Sequence, residues 1–261
     1  MNYPIFFDSI NSLSLFGLNE NLKFFSSLYK EKKLPKVLML TGNKGTGKST
    51  LINHFLFSIF DENNYDNEKL TYNNKSNFLN QFKNNLFPNI MYFKGSDFKN
   101  TKVENIRNFK TKIYQSTISN RERSIVFDDI ELFNINSLNA LLKTIEEPTN
   151  NNHFFLINNK AKPLPETIRS RSIEYKIILN ENQRISIIDN LVKNFKLELV
   201  LNPLSVKISP GNFVKFNYIC KEHNISPSED FVKNLSKLLS LFKKDKDILY
   251  INLIFYLADN Y

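Results

Sequence analysis

The chain has a single cysteine, Cys220, among 261 residues. A lone thiol forms neither an internal disulfide nor a four-cysteine zinc knuckle, which fits a reducing compartment. Long apolar runs are missing as well. None reaches the roughly 18 residues that span a bilayer, and mean hydropathy is −0.35. The opening stretch MNYPIFFDSINSLSLF lacks the basic flank and continuous apolar core of a secretory signal. The expectation is a soluble, cytoplasmic protein with no membrane partner. The histidines His54, His153 and His223 are far apart and show no metal-ligand spacing. No internal repeat or heptad array is visible. Glycine is scarce, at 6 residues, beside 24 Phe and much Asn, Lys and Ile. That is the drift of an AT-rich coding sequence, so abundant asparagine carries no functional meaning by itself.

The length exceeds the roughly 100–150 residues of a typical domain, so one large or two smaller domains are expected. A chain of this size buries roughly 70–75% of the surface its unfolded form exposes, enough to be stable without staples. Basic residues outnumber acidic ones by 35 to 26, a net charge of +9. Such an excess suits a polyanionic partner and equally suits a solvated surface.

Apolar residues at helical spacing predict a helix over 19–33, closed by Pro35. The run Val37–Leu40 predicts a buried strand ending at Gly42, and Leu51, Ile52, Phe55, Leu56 and Ile59 predict an amphipathic helix over 48–60. Residues 61–75 are polar and Asn-rich, without periodicity, and are expected to form a surface loop. Strands are predicted over 89–93, 124–127 and 154–157, with helices over 102–116 and 136–145. This alternation argues for a three-layer α/β domain around a mainly parallel sheet. After about Ile178 the strand signals stop. Helices are predicted over 183–195, over 212–222 and from Asp230 onward, so the expected segments are 1–178, a helical 179–224 and a helical 225–261.

The stretch Gly42-Asn43-Lys44-Gly45-Thr46-Gly47-Lys48-Ser49 matches G-x-x-x-x-G-K-[ST] between a predicted strand and a predicted helix, the context in which that motif cradles phosphate. Glycines let the backbone wrap a phosphate so that successive N–H groups point inward. Lys48 would reach the β- and γ-phosphates and Ser49 would coordinate Mg²⁺, with the N-terminal dipole of the following helix assisting. Gly42, Gly45, Thr46, Gly47, Lys48, Ser49 and Thr50 are therefore the candidate ATP-binding residues. Such a loop needs an acidic partner on a neighbouring strand. Ser124–Phe127 followed by Asp128-Asp129 supplies it: Asp128 is the natural Mg²⁺ partner through water, and Asp129 the polariser of an attacking water.

Further on, Asn136-Ser137-Leu138-Asn139-Ala140-Leu141-Leu142-Lys143-Thr144-Ile145-Glu146-Glu147-Pro148 resembles the N-A-L-L-K-x-x-E-E-P helix of sliding-clamp loaders. Leu164-Pro165-Glu166-Thr167-Ile168-Arg169-Ser170-Arg171-Ser172 is similar to their L-P-x-T-I-R-S-R-C segment. Downstream of a P-loop, these segments are more specific than the P-loop alone. Over residues 15–180 the chain resembles AAA+ clamp-loader subunits of bacterial DNA polymerase III, most closely the delta-prime type.

The resemblance implies an AAA+ P-loop domain followed by a small helical lid and a partial helical collar. It implies a subunit of a ring-like hetero-oligomer with other clamp-loader subunits, acting on the sliding clamp and primer–template DNA. Arg171 falls where the family places an arginine finger that reaches a neighbour's ATP site in trans, and a guanidinium delivered across an interface couples turnover to assembly. Asn158 matches the polar sensor of γ-phosphate or water; on the residues alone, Asn158-Asn159 reads as an ordinary turn. The departures are informative too. The active ATPases carry Asp-Glu where this chain has Asp128-Asp129, a carboxylate retracted by about 1 Å, and misplacement of that size costs on the order of 10²-fold in rate. Ser172 replaces the usual Cys, Asn212 stands about where motor subunits place a second sensor arginine, and no zinc module follows the P-loop helix. ATP binding is thus better supported than hydrolysis at the chain's own site. The alternatives are an ATP-hydrolysing motor subunit of the same superfamily and, more remotely, a P-loop kinase with an unrelated helical tail. Lys99, Lys102, Arg107, Lys110 and Lys112 form the densest basic cluster, with Lys102, Arg107 and Lys110 the DNA-contact candidates. Positions 99, 102 and 110 cannot share one narrow face, so a DNA track and a solvated surface both stay open.

Overall fold

The computed structural model describes residues 4–95, 122–148, 151–204, 208–226 and 230–259. Two compact units divide the chain: Ser12–Ile178 forms one, and Leu179 onward forms the other together with the N-terminal stretch through Asn11.

The first unit is built on a five-stranded sheet of β1 (Val37–Thr41), β4 (Ile90–Lys94), β5 (Arg123–Asp128), β6 (Asn152–Asn158) and β7 (Ile173–Lys176), in the order β4-β5-β6-β1-β7. Every pairing in it is parallel. Because β1 and β6 lie inside the sheet they are buried along their whole length, which is why they read as unbroken apolar runs rather than alternating ones. Around the sheet pack helices Asn19–Lys30, Lys48–Phe60 and Ile135–Glu146. The last of these starts at Asn134, whose side chain accepts from the Ser137 N–H at 2.9 Å, the usual task of an N-cap. Ile125, Phe127, Leu138, Leu141, Phe154 and Leu156 form its core with the sheet.

Three elements differ from the sequence expectation. Residues 61–75 are no plain surface loop: a short 3₁₀ turn leads into an antiparallel hairpin, β2 (Tyr65–Asp66) with β3 (Thr71–Tyr72). Its rings are the reason. Tyr65, Leu70 and Tyr72 are buried, Phe57 stacks on Tyr72 with centroids 4.5 Å apart, and the Asp61 carboxylate accepts from Tyr72, Ser76 and Asn64. The polar residues between those rings hid the pattern. A helix over Asn77–Lys83, capped by Ser76, and the edge strand β7 also went unpredicted; β7 is short and mostly exposed, so it lacks a hydrophobic signature. The predicted helix 102–116, with Lys99, Lys102, Arg107, Lys110 and Lys112, lies outside the described residues.

The second unit is helical: Glu181–Phe195, Pro210–Glu222, Phe231–Asp245 and Ile248–Ala258. The first begins with a capping box between Asn180 and Gln183. Ile188, Phe213, Ile219, Leu238, Tyr250 and Leu253 share one core, so helices on both sides of residue 225 pack together.

Candidate nucleotide site

At the C-terminal end of β1 the chain turns through Gly42–Gly47 into the helix Lys48–Phe60. Three glycines make that turn, Gly45 among them at φ +86°. A Cβ on Gly42 would stand 2.6 Å from the Ile177 carbonyl oxygen, and Gly47 adopts φ +90° as the cap of the helix, a conformation costly for any residue with a Cβ. Lys48 is buried, with its Nζ donating to the carbonyls of Gly42 at 2.7 Å and Asn43 at 2.8 Å. The ammonium is held inside the loop itself. Burial draws its pKa down to about 8, against the pull of the Glu131, Asp128 and Asp129 charges.

β5 delivers the acids. Asp128 Oδ1 accepts from Ser49 Oγ at 3.0 Å and from the Asp129 N–H at 3.0 Å, while Oδ2 accepts from the Tyr92 hydroxyl at 2.7 Å. Burial pushes the Asp128 carboxyl above its ordinary value; the Tyr92 hydroxyl is the strongest opposing influence, and the Asp129 charge adds to the rise. Asp129 has left-handed geometry, φ 54°. Its carboxylate accepts from the Asn159 amide and sits 3.4 Å from Lys44 Nζ.

These residues fit a nucleotide and its divalent cation. The glycine turn is closed to side chains, a buried ammonium donates to neutral carbonyls of its own loop, and a hydroxyl is paired with a carboxylate, two oxygen groups that would hold a divalent cation. One further group belongs to the site. Glu131 is 4% exposed, its Oε2 accepts the Asn159 N–H at 3.2 Å, and its Oε1 is buried with no hydrogen-bond partner among the described residues. Burial pushes this carboxyl up. Sequence reasoning stopped at the acid pair; an acid two residues beyond it, between apolar Ile130 and Leu132, is the signal that was available.

The structure brings together Lys48, Ser49, Asp128 and Asp129, and with them Tyr92, Glu131 and Asn159. Asn158 lies beside the loop, its carbonyl accepting from the Gly42 N–H at 3.3 Å. It ends β6, and its Oδ1 accepts from the Lys160 N–H at 2.9 Å. The amide that reaches the acid pair is that of Asn159, just past the end of β6. Thr46 Oγ1 donates to the Asn43 carbonyl at 3.0 Å, and Thr50 lies in the first turn of the P-loop helix. Arg171 is held by its own chain: Nε donates to Glu146 Oε1 at 2.6 Å and Nη1 to the Thr167 carbonyl at 3.0 Å.

A parallel sheet carrying this loop after β1 and the acid pair at the end of β5, with β6 between the two strands, followed by a helical region, defines a P-loop fold of the AAA+ class. The profile of the DNA polymerase III delta-subunit family matches residues 17–183, and the chain belongs to that family. Among curated relatives, DNA polymerase III subunit delta' of Buchnera aphidicola from Schizaphis graminum is 31% identical over 150 residues, 57% of this chain and 44% of that protein. Subunit gamma from the same organism is 35% identical over 94 residues, 36% of this chain and 26% of that protein. The matched stretches therefore span less than half of either relative. Among solved structures, domain III of the Thermotoga maritima replication initiation protein DnaA superposes with a TM-score of 0.50 at 15% identity, over 87% of this chain and 93% of that one; this likeness concerns the fold.

Proposed function

We propose that this chain is a subunit of the sliding-clamp loader of the replicative DNA polymerase, working in the cytoplasm, that binds ATP with Mg²⁺ at Gly42–Thr50 and lends Arg171 to a neighbouring subunit. The observation that carries the nucleotide part is the coupling of helix to strand by Ser49 and Asp128 at 3.0 Å, beside the buried Lys48. Lys48, Ser49 and the loop N–H groups would bind the triphosphate, with Asp128 receiving the cation through water. Bound there, Mg²⁺ neutralises charge on the β- and γ-phosphates. Asp129, tied to Lys44 and Asn159, is poorly free to activate water, which supports slow turnover at this site. Asn158, at the end of β6 beside the loop, is the candidate sensor of γ-phosphate or water, on the strength of the family resemblance.

Family membership supports the assembly part: other loader subunits, the sliding clamp and primer–template DNA as partners, with Lys102, Arg107 and Lys110 as candidate DNA contacts. The fixed guanidinium of Arg171 supports its trans role, since an arginine already ordered loses less entropy on meeting a phosphate. The test is nucleotide binding and phosphate release by the purified chain, alone and with loader subunits plus primed DNA. Arg171→Ala is expected to depress DNA-stimulated turnover of the assembled loader and leave assembly intact; unchanged turnover removes the trans role. Lys48→Ala separates this from the motor reading, because a motor subunit would lose its own phosphate release.

A further inference from the structure

Tyr92 belongs to no motif, yet the structure fixes it at three points. Among the described residues β4 is an outer strand of the sheet, where side chains commonly take up the ladder positions. At Tyr92 the Asn85 side chain fills that role: its Oδ1 accepts from the Tyr92 N–H at 3.2 Å and its Nδ2 donates to the Tyr92 carbonyl at 3.3 Å. The ring meets Phe82 nearly at right angles, with centroids 6.2 Å apart. The register pairs Tyr92 with Val126 and Lys94 with Asp128, so Tyr92 and Asp128 share a face of the sheet. There the hydroxyl donates to Asp128 Oδ2 at 2.7 Å.

We propose that Tyr92 is the positioning residue of the divalent-cation site, setting the Asp128 carboxylate in the one orientation that receives the hydrated metal. A carboxylate torsion is broad and two-fold when unrestrained. Ser49 and the Asp129 N–H hold only Oδ1; Tyr92 holds the other oxygen and so removes the remaining rotation. Partners that orient a metal's carboxylate ligand act on affinity for the metal rather than on contacts to the nucleotide. The inference rests on the Mg²⁺–ATP reading above.

A fluorescent ATP analogue, titrated into the full chain over a range of Mg²⁺ and also in EDTA, tests it. Tyr92→Phe removes one oxygen and keeps the ring. It is expected to raise the Mg²⁺ concentration for half-maximal binding about tenfold, with affinity in EDTA unchanged, and Asn85→Ala is expected to shift the same midpoint in the same direction by less. An unchanged midpoint in Tyr92→Phe overturns the proposal, and so does an equal loss with and without Mg²⁺, the mark of a merely structural residue. If the unaltered chain binds no analogue, the ATP reading itself falls and takes Tyr92 with it. Binding that persists with an unaltered Mg²⁺ midpoint in Tyr92→Phe removes the Tyr92 role alone.

Discussion

Both units of the molecule bury cations, and Arg184 in one and Lys48 in the other are treated differently. In the helical unit Arg184 is 6% exposed, and its guanidinium spends its donors on the Glu181 carboxylate at 2.5 Å and on the carbonyls of Pro203 at 2.6 Å and Ile208 at 3.3 Å. Its charge is answered by a carboxylate and its fork stitches three segments together. In the α/β unit Lys48 is 2% exposed and bonds only neutral acceptors of its own loop. Nearby, Glu131 keeps one carboxylate oxygen buried and without a hydrogen-bond partner among the described residues. A buried charge that is locally satisfied is structure; one left under-compensated is a site held ready for a charged ligand. Net charge is uneven in the same sense: residues 12–178 carry 24 Lys and Arg against 16 Asp and Glu, a net of +8, and the remainder 11 against 10.

Four experiments break or sharpen that contrast. Lys48→Ala is expected to weaken ATP binding by about 10²-fold, the loss of charge-assisted contacts worth roughly 3 kcal/mol; calorimetric titration reads it. Acid should strike the α/β unit next. His54 Nε2 faces the Ser12 carbonyl and Nδ1 the Tyr65 hydroxyl, each at 3.0 Å. The carbonyl can only accept, so Nε2 carries a proton. Burial lowers its pKa from 6.5 to about 4. The unfolded chain therefore takes up a proton that the folded chain refuses, and stability present above pH 6.5 is lost as pH falls toward 4, by roughly 3 kcal/mol at most. Denaturant unfolding at stepped pH measures it, and His54→Gln should flatten the slope.

Arg184→Met, the counterpart of the Lys48 change, is expected to cost about 2 kcal/mol of stability by stranding two carbonyls, with ATP affinity altered less than twofold. Smallest is the pH dependence of binding. Lys48 titrates near 8 in the free protein, and a bound polyphosphate favours its charged form. Binding thus takes up a proton above that pH, so affinity should hold below pH 8 and fall by up to about tenfold per unit above it. A flat profile from pH 7 to 9.5 would show that the amine is not the group that meets the phosphates.

Much of this was legible in the residues. The helix over 48–60 and the strands around it follow from unbroken apolar runs, because a parallel sheet covered on both faces needs them. The loop and acid pair are chemically constrained at fixed spacing, and the structure brings them together. What stayed hidden lacks such a period. β7 is an exposed edge strand, the hairpin at residues 65–72 is held by rings spaced among polar residues, and Tyr92 reaches Asp128 only through the register of two strands distant in sequence. Asparagine, discounted as compositional drift, turns out to cap helices at Asn134 and Asn180 and to bracket β4 at Asn85. Choosing between Asn158 and Asn159 required knowing which way a strand end turns.

Whether the buried charges of the α/β unit form an ATP site is decided by titrating MgATP into the purified chain beside Lys48→Ala. Saturable one-site binding that depends on Mg²⁺ and is lost in the variant is expected; no binding by the unaltered chain, or equal binding by both, would contradict it.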